Sequence, residues 1–324
     1  MAKAIRFHQP GGPEVLKYED VEVGAPGAGQ ARVKNVACGL NYIDTYHRTG
    51  LYPLPMPSGI GLEAAGIVEA VAADVTYLKV GDRVAYAGGP VGAYSEARII
   101  PADRLVKIPA GVTDQQAAGM MLKGLTAQYL LRRTYNVKPS DSILVHAAAG
   151  GVGLIMCQWA KALGATVIGT VGSDDKATLA KSYGCDHPIV YTREDFVARV
   201  KEITSGKGVA VVYDSVGKDT FMKSLDCLSP LGLIAVFGNS SGNAPDINPG
   251  VLAGKGSLFL TRPTLMTYMA KREDLVKSAD DLFGVVASGK VKIDVRQTYA
   301  LKDAAQAHKD LEARKTTGST ILVP

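Results

Sequence analysis

The segment Ala147-Ala148-Ala149-Gly150-Gly151-Val152-Gly153 constrains this chain more than any other. It follows an apolar, strand-like run, Ile143-Leu144-Val145-His146, and opens a helix-like segment from Leu154 to Leu163. Strand, glycine turn and helix in that order aim backbone N–H groups and a helix N-terminus at a pyrophosphate. Against the pattern G-x-G-x-x-G, Ala148 stands where the first glycine would be, while Gly150 and Gly153 fill the other two places. A tight β–α turn whose small residues only permit close packing would read the same way. Context separates the two. Alternating strand and helix signals continue beyond the turn, the turn follows the first strand of that series, and no metal or P-loop signature competes.

A length of 324 residues allows two domains, each with its own core. With 47% hydrophobic and 21% charged residues, the chain has the composition of a soluble globular protein. The net charge of +5 slightly favours anionic ligands, and the 36 basic residues are scattered, so nucleic acid is not expected as a partner. Cys38, Cys157, Cys185 and Cys227 share no C-x-x-C spacing, which argues against a zinc cluster or disulfide framework. The N-terminus turns polar too soon for a signal peptide, and no apolar run approaches membrane-spanning length. A reducing, cytoplasmic location without membrane attachment is the expectation.

From Met1 to about Pro109 the chain is β-rich and heavily punctuated. Ala31–Ala37 alternates at period two, and Gly66–Val71 and Asp82–Ala87 do likewise around a Val80-Gly81-Asp82 turn, which suggests a barrel or rolled sheet. From Leu125 to Arg262 the rhythm changes. Strand signals at 143–146, 166–170, 189–191, 209–213, 233–237 and 258–261 alternate with helical signals at 152–163, 176–183, 194–204 and 220–228. Short apolar strands separated by helices predict a parallel sheet covered on both faces, here a six-stranded doubly wound fold. The tail carries one amphipathic helix over 275–287 and a last strand, Gly318–Val323, placed to return to the N-terminal sheet.

Several separated segments together resemble the quinone oxidoreductases, a zinc-free branch of the medium-chain dehydrogenase/reductase superfamily. They are Gly39–Tyr46, Arg48–Tyr52, Leu122–Thr126, the Ala147–Gly153 turn, Val212–Gly217 and Phe237–Gly242. The resemblance spans the chain. It implies an α/β protein with a rolled-β (GroES-like) substrate domain over 1–124 and 263–324, interrupted by a six-stranded Rossmann dinucleotide-binding domain over 125–262, with the site in the cleft between them. It also implies reduction of a quinone, or alternatively of the C=C bond of a 2-alkenal or other conjugated carbonyl. A non-catalytic structural or RNA-binding role on the same scaffold is a third reading, against which stands the absence of a basic stripe with interleaved aromatics.

In the zinc alcohol dehydrogenases of this superfamily a cysteine ligand follows Cys-Gly-x and a histidine ligand sits in Gly-His-Glu. The corresponding residues here are Asn41, after Cys38-Gly39-Leu40, and Leu62, in Gly61-Leu62-Glu63. Leucine cannot ligate a metal and an amide oxygen is a poor zinc ligand, so no metal is expected and alcohol oxidation is disfavoured. NAD-specific folds place an acid about 20 residues past the glycine turn. This chain has Gly172-Ser173 there, followed by Asp174-Asp175-Lys176. Ser173 and Lys176 suit a 2′-phosphate, Asp174 is expected to cap the following helix, and NADPH is the cofactor expected.

The resemblance places Lys176, Tyr191 and Arg314 around the adenosine phosphate. It places Ala149, Gly150, Gly151, Val152, Gly172, Ser173, Ser215, Val216, Phe237, Gly238, Asn239 and Ser240 along the dinucleotide, with Thr126, Tyr129 and Arg262 as further cofactor contacts. Asn41, Tyr46 and Tyr52 are the catalytic candidates. Two tyrosines can stack on a planar acceptor and offer hydroxyls to a carbonyl. Asp44 is expected to orient the segment carrying Tyr46, and His8, His47, His146, His187 and His308 read as structural. A homodimer is expected through the apolar segment Ser257–Thr261, whose edge carries no charge before Arg262.

Overall fold

Period-two alternation in the N-terminal part of the chain builds β1 (Ala2–Phe7), β2 (Lys17–Val21), β3 (Gln30–Gly39), β4 (Ser58–Gly59), β5 (Glu63–Val71), β6 (Arg83–Ala87), β7 (Ala97–Pro101) and β8 (Val106–Lys107). In β3, Ala31, Val33, Asn35 and Ala37 are buried, while Lys34 between them is exposed. One short helix, α1 (Tyr42–Thr49), follows β3, and a long one, α2 (Asp114–Tyr129), follows β8. The computed structural model describes residues 1–324 and divides into two units. The first comprises Met1–Leu125, Tyr268–Ala287 and Ile293–Pro324, and the second Thr126–Thr267 with Ser288–Lys292, so the boundary falls inside α2.

The second unit alternates strand and helix. Its strands are β9 (Ser142–Val145), β10 (Thr166–Val171), β11 (His187–Val190), β12 (Val209–Asp214), β13 (Leu228–Val236) and β14 (Phe259–Thr261). Its main helices are α3 (Gly151–Ala162), α4 (Asp174–Ser182), α5 (Phe196–Ile203) and the short α6 (Phe221–Ser224). All strand pairs are parallel, in the order β11-β10-β9-β12-β13-β14. Chain order reverses beside β9, which creates the switch point where such sheets bind ligands at their carboxyl ends. Leu144, Ile168, Val212 and Ile234 from the sheet pack with Phe196, Val200 and Phe221 in one core.

The helix read over 220–228 is shorter than its sequence pattern. Only Phe221–Ser224 is α-helical, Leu225–Cys227 is a 3₁₀ turn, and β13 already begins at Leu228. Thr220, at the head of the segment, is tied by its hydroxyl to the Asp214 carboxylate, and Ser224 Oγ donates back to the Thr220 carbonyl. Side chains thus take up backbone and polar partners that a longer helix would leave to its own ladder.

Past α7 (Arg272–Ala287), the chain adds β15 (Val295–Ala300), α8 (Ala304–Glu312) and β16 (Ser319–Val323) to the first unit. β16 returns to the N-terminal sheet, pairing Ile321 with Gly39 and Leu322 with Cys38, and the sheet runs β15-β16-β3-β5-β6-β8 with β7 also on β3. A second sheet, β2-β1-β4, completes the rolled architecture. Phe7, Val33, Ile60, Val68, Tyr86 and Leu322 share its core. The chain is therefore α/β, with rolled, largely antiparallel sheets in one unit and a doubly wound parallel sheet in the other. No helix is long and apolar enough to cross a membrane.

Candidate active site

In the second unit the glycine turn leaves β9 at its carboxyl end. Ala147 takes a left-handed φ of 54°, and Gly150 is the N-cap of α3 with no side chain over the helix end. The amides of Gly151, Val152 and Gly153 therefore lack intrahelical partners, and the helix dipole adds positive potential there. At Gly153 a Cβ would fall on the Ala147 carbonyl and within 2.7 Å of the Ala148 backbone, so only glycine lets α3 approach the strand this closely. Ala148, in the place of the first glycine, is accommodated because its methyl group packs where a Cβ on Gly169 of β10 would stand.

The next strand ends carry the other nucleotide candidates. After β10, the Tyr191 hydroxyl lies 3.1 Å from where a Cβ of Gly172 would be, so Gly172, Ser173, Lys176 and Tyr191 cluster at the ends of β10 and β11. Ser173 is the N-cap of α4 and accepts from the Lys176 backbone N–H at 3.4 Å. This corrects the expectation for Asp174. It lies one position inside the helix, with its carboxylate paired to Arg193 at 2.6 and 2.7 Å. That ion pair and the neighbouring helix N-terminus offset an acid otherwise unfavourable to a phosphate.

After β12, buried Asp214 accepts from the N–H groups of Val216 and Gly217 at 2.8 and 3.0 Å, which fixes the Ser215-Val216 turn. After β13, Gly238 passes so close to the Ser215 carbonyl that a Cβ would stand 2.6 Å from it, and Ser240 N–H donates to Ser215 O at 3.2 Å. Phe237, Gly238, Asn239 and Ser240 thus lie beside Ser215 and Val216. Thr126 and Tyr129 are buried at the end of α2, and Arg262 follows β14. Arg314 belongs to the first unit, where it follows α8 with a left-handed φ of 58°.

In the first unit α1 gathers the catalytic candidates. Asn41 is its N-cap and forms a capping box with Asp44, the Asn41 backbone N–H donating to Asp44 Oδ2 at 2.9 Å. Gly50 ends the helix with a φ of 82°, and the chain folds back so that Tyr52 N–H donates to Tyr46 O at 3.0 Å. The Tyr46 and Tyr52 rings then meet edge-on at 5.3 Å, with Tyr42 5.7 Å from Tyr46 and His47 6.1 Å from Tyr52.

Beneath α1 lies a buried polar network that sequence reading missed. Asp44 Oδ2 accepts from the Tyr94 hydroxyl at 2.7 Å, and that hydroxyl is 3.4 Å from His308 Nε2. Arg48 contacts His308 Nδ1 at 3.0 Å and pairs with both Glu312 oxygens at 3.0 and 2.7 Å. Burial raises the Asp44 carboxyl to about 7, against hydrogen bonds from Tyr94 and Asn41 that favour its charge. Burial, helped by Arg48, lowers the His308 imidazole to about 3. On the other side of Asn41, buried Glu63 pairs with Lys123 at 2.8 Å.

A zinc ion does not fit these residues. Leu62 offers no donor, the Asn41 amide nitrogen is bound to Glu63, and Glu63 already carries an ammonium partner. No group of three or more histidine, cysteine or acidic side chains is placed to hold a metal.

Comparison with known proteins agrees in both units. Residues 27–110 match the alcohol dehydrogenase GroES-like domain model, and residues 151–281 the zinc-binding dehydrogenase model. The quinone oxidoreductase of Pseudomonas aeruginosa is 55% identical over the full length of both chains. The chain belongs to the quinone oxidoreductase family. It is thereby a member of the medium-chain dehydrogenase/reductase superfamily and an oxidoreductase. A crystal structure of Escherichia coli quinone oxidoreductase complexed with NADPH superposes with a TM-score of 0.98 at 53% identity, covering all of both chains. A 2-haloacrylate reductase from Burkholderia is 49% identical, covering 100% of this chain and 99% of its own.

Proposed function

We propose that this family member is an NADPH-dependent quinone reductase that works without zinc. The observation that carries the reading is the composition of one short segment. Asn41, Tyr46 and Tyr52 bring an amide and two phenols together on α1 and its returning turn, with no set of metal ligands among them. NADPH, when bound, supplies a hydride from its nicotinamide ring. The residues that hold it are the α3 N-terminus at Gly150–Val152 for the pyrophosphate, and Ser173, Lys176, Tyr191 and Arg314 for the adenosine phosphate. The Ser215–Val216 and Phe237–Ser240 turns, with Thr126, Tyr129 and Arg262, line the rest. Tyr46 and Tyr52, whose rings meet edge-on, offer an aromatic surface and hydroxyls to a planar dicarbonyl, so rate enhancement rests on proximity and orientation. In this reading residues 1–124 and 263–324 form the substrate domain and 125–262 the dinucleotide-binding domain, and two copies associate through β14.

A second acceptor class has a specific observation in its favour. The 49% identity to a 2-haloacrylate reductase supports reduction of a C=C bond conjugated to a carboxylate or carbonyl. Steady-state NADPH oxidation with a 1,2-naphthoquinone, a short enone and a 2-haloacrylate ranks the three, and the quinone should give the highest kcat/KM. Prolonged chelation should leave that rate unchanged. Acceptor-independent NADPH consumption would remove the reading, and stoichiometric zinc in active protein would remove its metal-free part.

A further inference from the structure

The segment Leu122–Thr126 contains a lysine that the proposed reaction does not use. Lys123 is 5% exposed, and its partner Glu63 is fully buried. Lys123 Nζ donates to Glu63 Oε2 at 2.8 Å, and the Leu122 backbone N–H donates to Oε1 at 2.7 Å. The same Oε2 accepts from Asn41 Nδ2 at 2.8 Å. Gly39 makes the arrangement possible, because a Cβ there would collide with the Glu63 carboxylate. Ion pair, amide and glycine therefore form one fitted unit beneath the N-terminus of α1.

Glu63 decides which way the Asn41 amide faces. A carboxylate only accepts, so it must meet the NH2 end of the amide and repel the carbonyl end. The Gly39 carbonyl lies 3.4 Å from the same nitrogen. With its N–H groups directed toward Glu63, Asn41 presents only Oδ1, an acceptor, which already takes the Asp44 backbone N–H in the capping box and has its second lone pair for one further partner. A quinone has no N–H or O–H to give it. The nicotinamide end of a dinucleotide has both, in its carboxamide and its ribose hydroxyls. Lys123 supplies the countercharge without which a buried carboxylate is strongly unfavourable.

We propose that Lys123 and Glu63 are a positioning pair that locks the Asn41 amide with its oxygen turned away from Glu63, so that the lone pair not used in capping α1 accepts a hydrogen bond from the nicotinamide half of NADPH. The proposal rests on the reading of Asn41 given above. Its decisive variant is the double substitution Glu63→Gln with Lys123→Met, which leaves no unpaired buried charge. Replacing a buried pair with neutral groups of similar volume is often tolerated, whereas Lys123→Met alone strands the carboxylate. A glutamine at 63 can donate as well as accept, so the amide is released to turn.

NADPH binding by the double variant, measured by titration of reduced-nicotinamide fluorescence, should weaken about tenfold, the loss of roughly one hydrogen bond. The melting temperature should stay near that of the wild type. Asn41→Ala should weaken binding by a similar factor, and combining all three substitutions should cost nothing further, because the pair acts through Asn41. In turnover, the KM for NADPH should rise and that for the quinone stay unchanged. The primary isotope effect with NADPH deuterated at C4 should increase as a misplaced nicotinamide makes hydride transfer limiting. A folded double variant with wild-type NADPH affinity, or losses that add to those of Asn41→Ala, would overturn the proposal. The binding titration needs no acceptor. Wild-type protein that binds NADPH but reduces no quinone would sink the proposed reaction and leave this test intact, and protein that binds no NADPH would end both.

Discussion

Lys176 stands on the first turn of α4, its backbone N–H donating to Ser173 Oγ next to Gly172, which itself lies against the Tyr191 hydroxyl. A charge-assisted contact to a phosphate contributes about 1.5–3 kcal/mol, so Lys176→Ala should raise the KM for NADPH roughly ten- to a hundredfold and barely change that for NADH. Steady-state kinetics with both cofactors check this, and equal losses would make Lys176 a structural residue. The Asp44–Tyr94–His308 chain gives a second expectation. Asp44 is raised from 3.8 to about 7, so its contribution to stability is complete below pH 4 and is lost as pH rises toward 7. His308 is lowered from 6.5 to about 3, so its contribution is complete above pH 6.5 and is lost as pH falls toward 3. Between pH 4 and 6.5 the two slopes oppose each other. Relative to wild type, Asp44→Asn should lose stability toward acid and His308→Gln toward neutral pH. Thermal melts across that range decide it, and parallel profiles for all three proteins would show that neither group titrates as its burial implies.

Helix α3 depends on Gly153 in a way that local propensity does not express. Gly153→Ala should push α3 off the Ala147–Ala148 backbone, weakening NADPH binding at least tenfold and lowering the melting temperature. Calorimetric titration and a thermal melt test this, and an alanine variant with full affinity would show that the helix can shift at no cost. The second unit was legible at this scale because each strand and helix carries its own period, and the α3 turn is read from seven consecutive residues. Element α2 was less so. Its Ala117, Ala118, Met120, Met121 and Leu125 are all buried, so no polar stripe marks a helical period. The same distinction divides the candidate site. Asn41, Tyr46 and Tyr52 lie on one helix and its turn, within a single short segment that carries the family resemblance. Glu63 meets Lys123 across 60 positions and Arg48 meets His308 across 260, pairings that only tertiary folding creates.

The outermost strand of the parallel sheet, β14, leaves Phe259 58% and Leu260 38% exposed. An apolar edge of that kind invites pairing with another chain, and in the proposed dimer twofold pairing with a second copy would close it. Phe259→Lys or Leu260→Lys should shift sedimentation from dimer toward monomer, and wild-type protein that is monomeric at micromolar concentration would rule the interface out. Leu258, though in the same apolar segment, is buried in the core of the second unit, and a lysine there would test folding rather than association. The path of the chain has a different consequence. Strand β16 sits between β15 and β3 in the sheet of the first unit, yet it follows the whole second unit in sequence. During synthesis on the ribosome, the nucleotide-binding half can emerge and close while the half that began first still waits for its last strand. What stays open on β3 is only its end at Cys38 and Gly39, because β7, made earlier, already pairs with Gln30–Lys34 on that flank, so the edge offered to other chains is short.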